Sequence, residues 1–207
     1  MIIEMYLVEI YNDKSRIEGD GLFSSEFIPQ GTIVYFYGID DCFIPKDDFQ
    51  FLSYDMRELF YKYGVQDEAG NMLIKEDKIN HSCDANILSM FVDGIYFDIA
   101  VRDIQVNEEL TIDYGLFYST FPWSMECKCN SAICRKNFGS GLSIDIQTQN
   151  LWHRRISDAI CHLFDVKQNL FFIDDEKAKG LTLAIKSKLN PKIFPNIKFT
   201  LISADGP

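Results

Sequence analysis

The sequence has no run of about 18 consecutive apolar residues, the length that a helix needs to cross a membrane. Residues 1–10 contain two glutamates and no basic residue, so they lack the charged start and apolar middle of a secretory signal. We therefore predict no membrane association and an intracellular protein, cytoplasmic or nuclear. Residues 1–10 are instead predicted to form a first strand.

Basic residues are scarce. The chain has 20 Lys and Arg but 31 Asp and Glu, and its formal net charge is therefore −11. Residues 1–140 carry 11 basic and 24 acidic side chains, a net charge of −13, whereas residues 141–207 carry a net charge of +2. A negative field repels phosphate backbones and attracts cationic partners. The charge disfavours direct nucleic-acid binding and fits a basic protein partner, although an acidic surface can also serve solubility alone.

The chain has no internal repeat and no low-complexity tract, and its length suits one hydrophobic core with a small appendage. Runs of β-branched and aromatic residues after turn residues predict strands, most clearly at residues 33–37 and 94–101. An insert at about residues 45–75 is predicted to be partly helical. Apolar residues recur at helical spacing over residues 152–163 and again over 178–189, which predicts two amphipathic helices and, after them, a short closing strand.

Six cysteines without a secretory signal argue against a disulfide framework, because reducing compartments keep thiols free. Four of them have the spacing of metal ligands: Cys83, Cys127, Cys129 and Cys134. Four thiolates form a closed, structural zinc site, so we predict one zinc ion here. Ordinary buried thiols are the alternative, but three cysteines within eight residues are improbable by chance. Cys42 and Cys161 have no such neighbours and are predicted to be small core residues.

Four motif groups follow one another along the chain. They are Gly-Asp-Gly-Leu-Phe at 19–23, Asn-His-Ser-Cys-Asp-Ala-Asn at 80–86, Ala-Val-Arg-Asp-Ile at 100–104 with Glu-Glu-Leu-Thr-Ile-Asp-Tyr-Gly at 108–115, and the cysteine cluster at 127–135. In content and order these segments resemble the motifs of SET-domain protein-lysine methyltransferases that carry a zinc-binding post-SET motif. The resemblance covers residues 15–139 and leaves the rest of the C-terminal region outside it.

The resemblance implies a mainly β fold with short helices, the SET-domain or β-clip fold, with a zinc-bound post-SET loop and a small, mostly helical C-terminal extension. It implies a SET catalytic domain at residues 1–120, which contains the insert, a post-SET zinc loop at 121–140 and the extension at 141–207. The extension is expected to pack on the catalytic domain or to recruit substrate.

The resemblance also implies S-adenosyl-L-methionine as cofactor and a lysine in a basic protein, such as a histone-like tail, as substrate. Methyl transfer to an amine is an in-line displacement, so alignment in a water-poor channel supplies most of the catalysis. Tyr114 is the expected catalytic residue, because its hydroxyl would orient the amine and favour its neutral form. Cofactor contacts are expected from Gly19, Gly21, Leu22, Asn80, His81 and Tyr114.

Individual residues suit these roles. Glycines let the backbone approach a cofactor closely, and the Asn80 amide offers a donor and an acceptor to its amino-acid end. The His81 side chain is expected to brace its loop locally. Because Cys83 belongs both to the second motif and to the cysteine cluster, the zinc ion is expected to fasten the segment at Asn80-His81, here called the cofactor loop, to the post-SET loop.

Phe36 and Ile112 are expected to line the substrate channel. Family members commonly have Tyr at the position of Phe36, and Phe or Tyr at the position of Ile112. Because Ile112 has no hydroxyl to hold water against the amine, we predict more than one methyl transfer per lysine. The alternative function is a catalytically silent SET module that binds protein partners and keeps a structural zinc. A zinc-ribbon adaptor for nucleic acid is disfavoured, because there is one Cys-x-Cys unit and little basic charge around it.

Overall fold

The computed structural model describes residues 5–36, 44–66, 71–74, 79–92, 95–116, 124–139 and 144–169. Over these residues the chain is mainly β with few helices, so the predicted fold class is confirmed. The strands are β1 (Met5–Tyr6), β2 (Ile10–Lys14), β3 (Asp20–Ser24), β4 (Ile33–Phe36), β5 (Gly64–Gln66), β6 (Met72–Ile74), β7 (Asn80–His81), β8 (Ile87–Val92), β9 (Ile95–Ala100), β10 (Glu109–Ile112), β11 (Ser124–Glu126) and β12 (Asn137–Gly139). The helices are α1 (Tyr54–Tyr63), α2 (Ile146–His162) and two short 3₁₀ helices, Lys46–Phe51 and Tyr114–Leu116.

Eight strands form one sheet in the order β1-β4-β9-β8-β10-β3-β2, and β7 pairs with β10 beside this path. The hairpin of β8 and β9 is its most extensive pairing, with Ile87 opposite Ala100 and Val92 opposite Ile95. By contrast, β7 and β8 run parallel to β10. Two two-stranded sheets, β5-β6 and β11-β12, complete the described strands. The parallel pairing of β7 with β10 brings the second and third motif groups side by side.

Helix α2 buries one face in the hydrophobic core. Its inward residues are Trp152, Ile156, Ala159 and Ile160, and with Leu163 just beyond its end they pack against strand residues such as Leu88, Phe97 and Ile99. The start of the helix is capped by Asp145, whose carboxylate accepts the backbone N–H groups of Gln147 and Thr148, each at 2.9 Å. The apolar periodicity of residues 152–163 therefore corresponds to a real helix. The second helix and the closing strand predicted beyond it fall outside the described residues.

The segment that follows α2 is also tied to the sheet. Gln168 accepts the backbone N–H of Ile33 and donates to the carbonyl of Gly31, both at 2.9 Å, and Asn169 donates to the carbonyl of Leu7 at 3.0 Å. Gly31 has a φ of 91°, and a Cβ atom there would lie 2.8 Å from the carbonyl oxygen of Ala159. Glycine therefore allows the end of α2 to approach the sheet closely.

Two further predictions can be compared with the structure. The insert does contain a helix, α1, and Phe60 on that helix is buried. The prediction of a buried Cys161 is wrong, since this residue is exposed. It follows the buried Ile160, and a step of about 100° around the helix axis turns it toward solvent. Cys42 lies outside the described residues, among which no helix is long and apolar enough to cross a membrane.

Because α2 supplies part of the core, we expect Ile156→Ala to lower the free energy of unfolding by about 2–5 kcal/mol. Ile156 is only 1% exposed, so the shortened side chain leaves a cavity. Ile146→Ala on the same helix is the matched control, because Ile146 is 65% exposed and its replacement should change stability by less than about 0.5 kcal/mol. Urea unfolding of both variants tests this, and equal destabilisation by the two would contradict it.

Candidate active site and metal centre

The parallel pairing of β7 with β10 places Asn80 beside Thr111 and His81 beside Ile112. Asn86 reinforces this arrangement, because its side-chain amide forms hydrogen bonds to the backbone of β10 like those of a neighbouring strand. Its Nδ2 donates to the carbonyl of Glu109, and its Oδ1 accepts the N–H of Thr111, both at 2.8 Å. The asparagine that ends the second motif thus fixes the strand that leads to Tyr114.

Tyr114 is held at both ends by residues 79–81. Its backbone N–H donates to Nδ1 of His81 at 3.1 Å, and its hydroxyl donates to the carbonyl oxygen of Ile79 at 2.6 Å. The rings of His81 and Tyr114 lie 5.3 Å apart between centroids. A phenol that donates its proton, as Tyr114 does to Ile79, can also accept a hydrogen bond at its oxygen.

His81 connects Tyr114 to the cysteine cluster. Since Nδ1 accepts the Tyr114 N–H, the neutral ring carries its proton on Nε2, which lies 3.4 Å from the Sγ atom of Cys83. Burial, together with the nearby charge of Arg135, lowers the pKa of His81 to about 3. The imidazole is therefore neutral at physiological pH, and both of its nitrogens brace the loop.

The four predicted ligand cysteines come together in space, with all four Sγ atoms within 4.8 Å of one another. The Sγ atoms of Cys83 and Cys127 are 3.8 Å apart. A tetrahedral zinc ion with Zn–S bonds of about 2.3 Å separates its sulfur ligands by about 3.8 Å, so the cluster fits one zinc ion. Burial raises the pKa of the Cys83 and Cys127 thiols, and a cation would offset the cost of their thiolate forms.

Backbone groups around the cluster point at the sulfur atoms. The N–H of Arg135 donates to Sγ of Cys83 at 3.3 Å, and the N–H of Cys129 donates to Sγ of Cys127 at 3.5 Å. The β11-β12 pairing closes the base of this loop. Tyr114 packs against the same group of cysteines, so the cysteine cluster and the tyrosine lie side by side.

The glycine loop at residues 18–21 is supported by Asn80. Its Nδ2 donates to the carbonyls of Glu18 at 3.0 Å and Asp20 at 3.1 Å, and to Oε1 of Glu109 at 2.8 Å. Gly19 has a φ of 51°, and in the described part of the structure no atom beyond its chain neighbours lies within 4 Å of where its Cβ atom would be, so this side of the loop is open among those residues. The amide donor of Asn80 therefore holds the loop, and the contact of Asn80 with a cofactor stays a prediction.

Glu109 is a site residue that the sequence reasoning missed. Its carboxylate fills the space in which a Cβ atom at Gly21 would lie, so a side chain at position 21 would have to displace it. The acidic pair at residues 108–109 in the third motif was the available signal. Leu22, which was predicted to contact the cofactor, is 5% exposed and packs in the core.

The two predicted channel residues have different surroundings. Ile112 is 1% exposed and belongs to a core cluster against which Tyr114 packs. Phe36 ends β4, where its backbone lies opposite Phe97, and its side chain is outside the described part of the structure. Lining of a substrate channel by these residues stays a prediction.

Comparison with known proteins gives one family match. Residues 19–115 match the family described as the SET domain. The matched segment begins at the first glycine of the glycine loop and ends one residue after Tyr114, so it contains Asn80, His81 and Cys83 but not the other three cysteines. No curated protein matches the chain.

Proposed function

Because residues 19–115 of this chain are a SET domain, a domain of methyltransferase type, we propose that the protein is an S-adenosylmethionine-dependent protein-lysine N-methyltransferase. The observation that carries the proposal is the position of Tyr114, which is bonded at its backbone to His81 and at its hydroxyl to Ile79. A tyrosine fixed at two points is suited to a reaction that depends on alignment.

S-adenosylmethionine supplies an electrophilic methyl group on a sulfonium, and the residues of the chain align the amine that receives it. The proton of the Tyr114 hydroxyl is engaged by Ile79, so the oxygen can accept a hydrogen bond from an amine N–H. That bond would orient the nitrogen lone pair without ionisation of the tyrosine. The neighbouring Ile79, His81 and Ile112 are buried, and such surroundings disfavour the charged form of an amine.

We assign the cofactor to the open side of the glycine loop. Gly19 presents backbone there with no side chain of the described residues in the way, and Asn80 holds the loop through the carbonyls of Glu18 and Asp20. The acceptor Oδ1 of Asn80 and the backbone of His81 are the further groups that we propose to contact it. One zinc ion at the four cysteines would stabilise residues 80–83, which support the glycine loop through Asn80, by way of the contact of Cys83 with His81.

The proposed substrate is a lysine in a basic protein, and a histone-like tail is one example. The charge of −13 over residues 1–140 supports this choice, because that stretch includes the SET domain and the cysteine cluster. A negative field raises the local concentration of a cationic polypeptide and accelerates its association, most strongly at low ionic strength.

Transfer of labelled methyl groups tests the proposed function. The protein is incubated with S-adenosylmethionine labelled in the methyl group and with a mixture of basic proteins, and the products are hydrolysed and assayed for methyl-lysine. We expect label in lysine of basic proteins and none in a parallel mixture of acidic proteins. Cofactor binding without any methyl transfer would contradict the proposal and favour the silent interaction module.

The nature of Ile112 leads to a prediction about the products. A side chain without a hydroxyl cannot hold a water molecule against the amine, so we expect di- and trimethyl-lysine to accumulate at excess cofactor. Mass spectra of a time course, and the use of a peptide already monomethylated at the target lysine as substrate, measure this. A strictly monomethyl product, together with rejection of the monomethylated peptide, would show the prediction to be wrong.

A further inference from the structure

Asp113 is a fully buried carboxylate that accepts hydrogen bonds from three separate parts of the chain. The backbone N–H of Gly115 donates to its Oδ1 at 2.9 Å, and the guanidinium of Arg135, one residue beyond the last cysteine of the cluster, binds the same oxygen. The indole Nε1–H of Trp152 donates to its Oδ2 at 3.0 Å. Trp152 lies on α2, outside the segment that matches the SET domain.

Trp152 also contacts the other member of the ion pair. The guanidinium carbon of Arg135 lies 5.7 Å from the centroid of the Trp152 ring, a distance at which a cation and an aromatic face attract each other. Trp152 is itself 1% exposed, and its neighbours on α2 anchor the helix in the core. The position of the indole is therefore fixed by the packing of the whole helix.

The ionised form of a buried carboxylate is stabilised by the groups that donate hydrogen bonds to it. Burial raises the pKa of Asp113, and the charge of Arg135 and the hydrogen bonds from Arg135, Gly115 and Trp152 oppose that rise. Loss of one donor leaves a buried oxygen without its partner, which is more costly than the average hydrogen bond suggests. The side chain would then be expected to reorient, and the groups bonded to it would follow.

Tyr114 comes directly after Asp113 in the chain, and its position depends on the bonds that Asp113 makes. The Asp113 side chain holds the N–H of Gly115, and its backbone carbonyl accepts the N–H of Leu116 at 3.0 Å. The backbone bond closes the turn of the short 3₁₀ helix Tyr114–Leu116, and the side-chain bond fastens Gly115 within it, so Asp113 holds the backbone on both sides of the tyrosine. A shift of the Asp113 carboxylate would therefore change the angle at which Tyr114 meets Ile79 and His81.

We propose that Trp152 is a positioning residue for Tyr114, acting through Asp113, so that the C-terminal helix is a working part of the active site. This inference rests on the proposed methyltransferase function. It assigns to α2 a role beyond stability, because the helix delivers one specific donor to the carboxylate next to the proposed catalytic residue.

The test is Trp152→Phe, which keeps an aromatic ring in the core and removes the N–H donor. We expect kcat to fall about tenfold, the effect of one hydrogen bond to a charged group, while KM for S-adenosylmethionine changes less than about twofold. A second, activity-independent measurement is the backbone amide signal of Tyr114 in protein labelled with ¹⁵N-tyrosine, identified by its absence in Tyr114→Phe. This signal should shift in Trp152→Phe.

Ile156→Val is the matched control, since it loosens the same helix in the same core cluster and its apolar side chain cannot bond to Asp113. It should leave both kcat and the Tyr114 amide signal unchanged. An unmoved amide signal in Trp152→Phe would overturn the inference, and so would a fall in kcat no larger than that of Ile156→Val. Failure of the proposed function is distinct, because the unmodified protein would then transfer no methyl group while the amide measurement would still decide the role of Trp152.

Discussion

Replacement of Tyr114 by phenylalanine is expected to lower kcat for methyl transfer by about 10²–10⁴-fold. The substitution removes only the hydroxyl oxygen, which is the atom proposed to orient the amine, and it leaves the backbone bond to His81 in place. Because the hydroxyl is proposed to act on the reacting amine, KM for S-adenosylmethionine should change little. Steady-state kinetics with a basic protein substrate measure both constants.

Tyr11→Phe is the matched control for this prediction. The Tyr11 hydroxyl donates to Oδ1 of Asn107 at 3.0 Å, so the control also removes one hydrogen-bonded phenol. Its kcat should equal that of the unmodified protein. If Tyr114→Phe retained most of the activity, or if both variants lost activity equally, the catalytic assignment of Tyr114 would be wrong.

Replacement of Cys83 by serine should remove the zinc ion and lower kcat by at least about 100-fold. Cys83 differs from the other three cysteines because its Sγ atom also lies 3.4 Å from Nε2 of His81, whose other nitrogen holds Tyr114. Loss of the thiolate therefore affects the metal and the support of the tyrosine together. Metal analysis and kinetics on the same preparation measure the two effects.

Cys161→Ser provides the control for the loss of a cysteine. Cys161 is exposed on α2 and does not belong to the cluster, so zinc content and kcat should both be unchanged. If Cys83→Ser lost its zinc and still had full activity, the proposed link from the metal centre to Tyr114 would be disproved.

Local patterns in the sequence were sufficient for the parts of the site that lie close together along the chain. Three cysteines within eight residues identified most of the cysteine cluster, and apolar spacing identified the buried face of α2. The fourth cysteine, Cys83, was recognised from the motif Asn-His-Ser-Cys. A cysteine at the end of a motif that resembles a cofactor loop can serve both that loop and a metal ion. The structure places its sulfur atom with the other three.

Interactions between distant segments could not be read from local patterns. The parallel pairing of β7 with β10 depends on which strands become neighbours in the folded sheet. The contact of Trp152 with Asp113 joins residues 39 positions apart, and periodicity marked Trp152 only as a buried residue. Asn80 shows the same limit, since no local pattern indicated that its Nδ2 donates to the backbone carbonyls of Glu18 and Asp20, which lie 62 and 60 positions away.

Reconstitution of the metal-free protein with zinc tests most directly whether one ion holds the cofactor loop and Tyr114 in the arrangement that methyl transfer requires. Zinc is removed by a chelator and added back in steps, and bound metal and methyl transfer are measured at each step. Activity should rise in proportion to bound zinc and reach its maximum at one ion per chain. Full methyl-transfer activity in the metal-free protein would contradict the proposed coupling of the four cysteines to the active site.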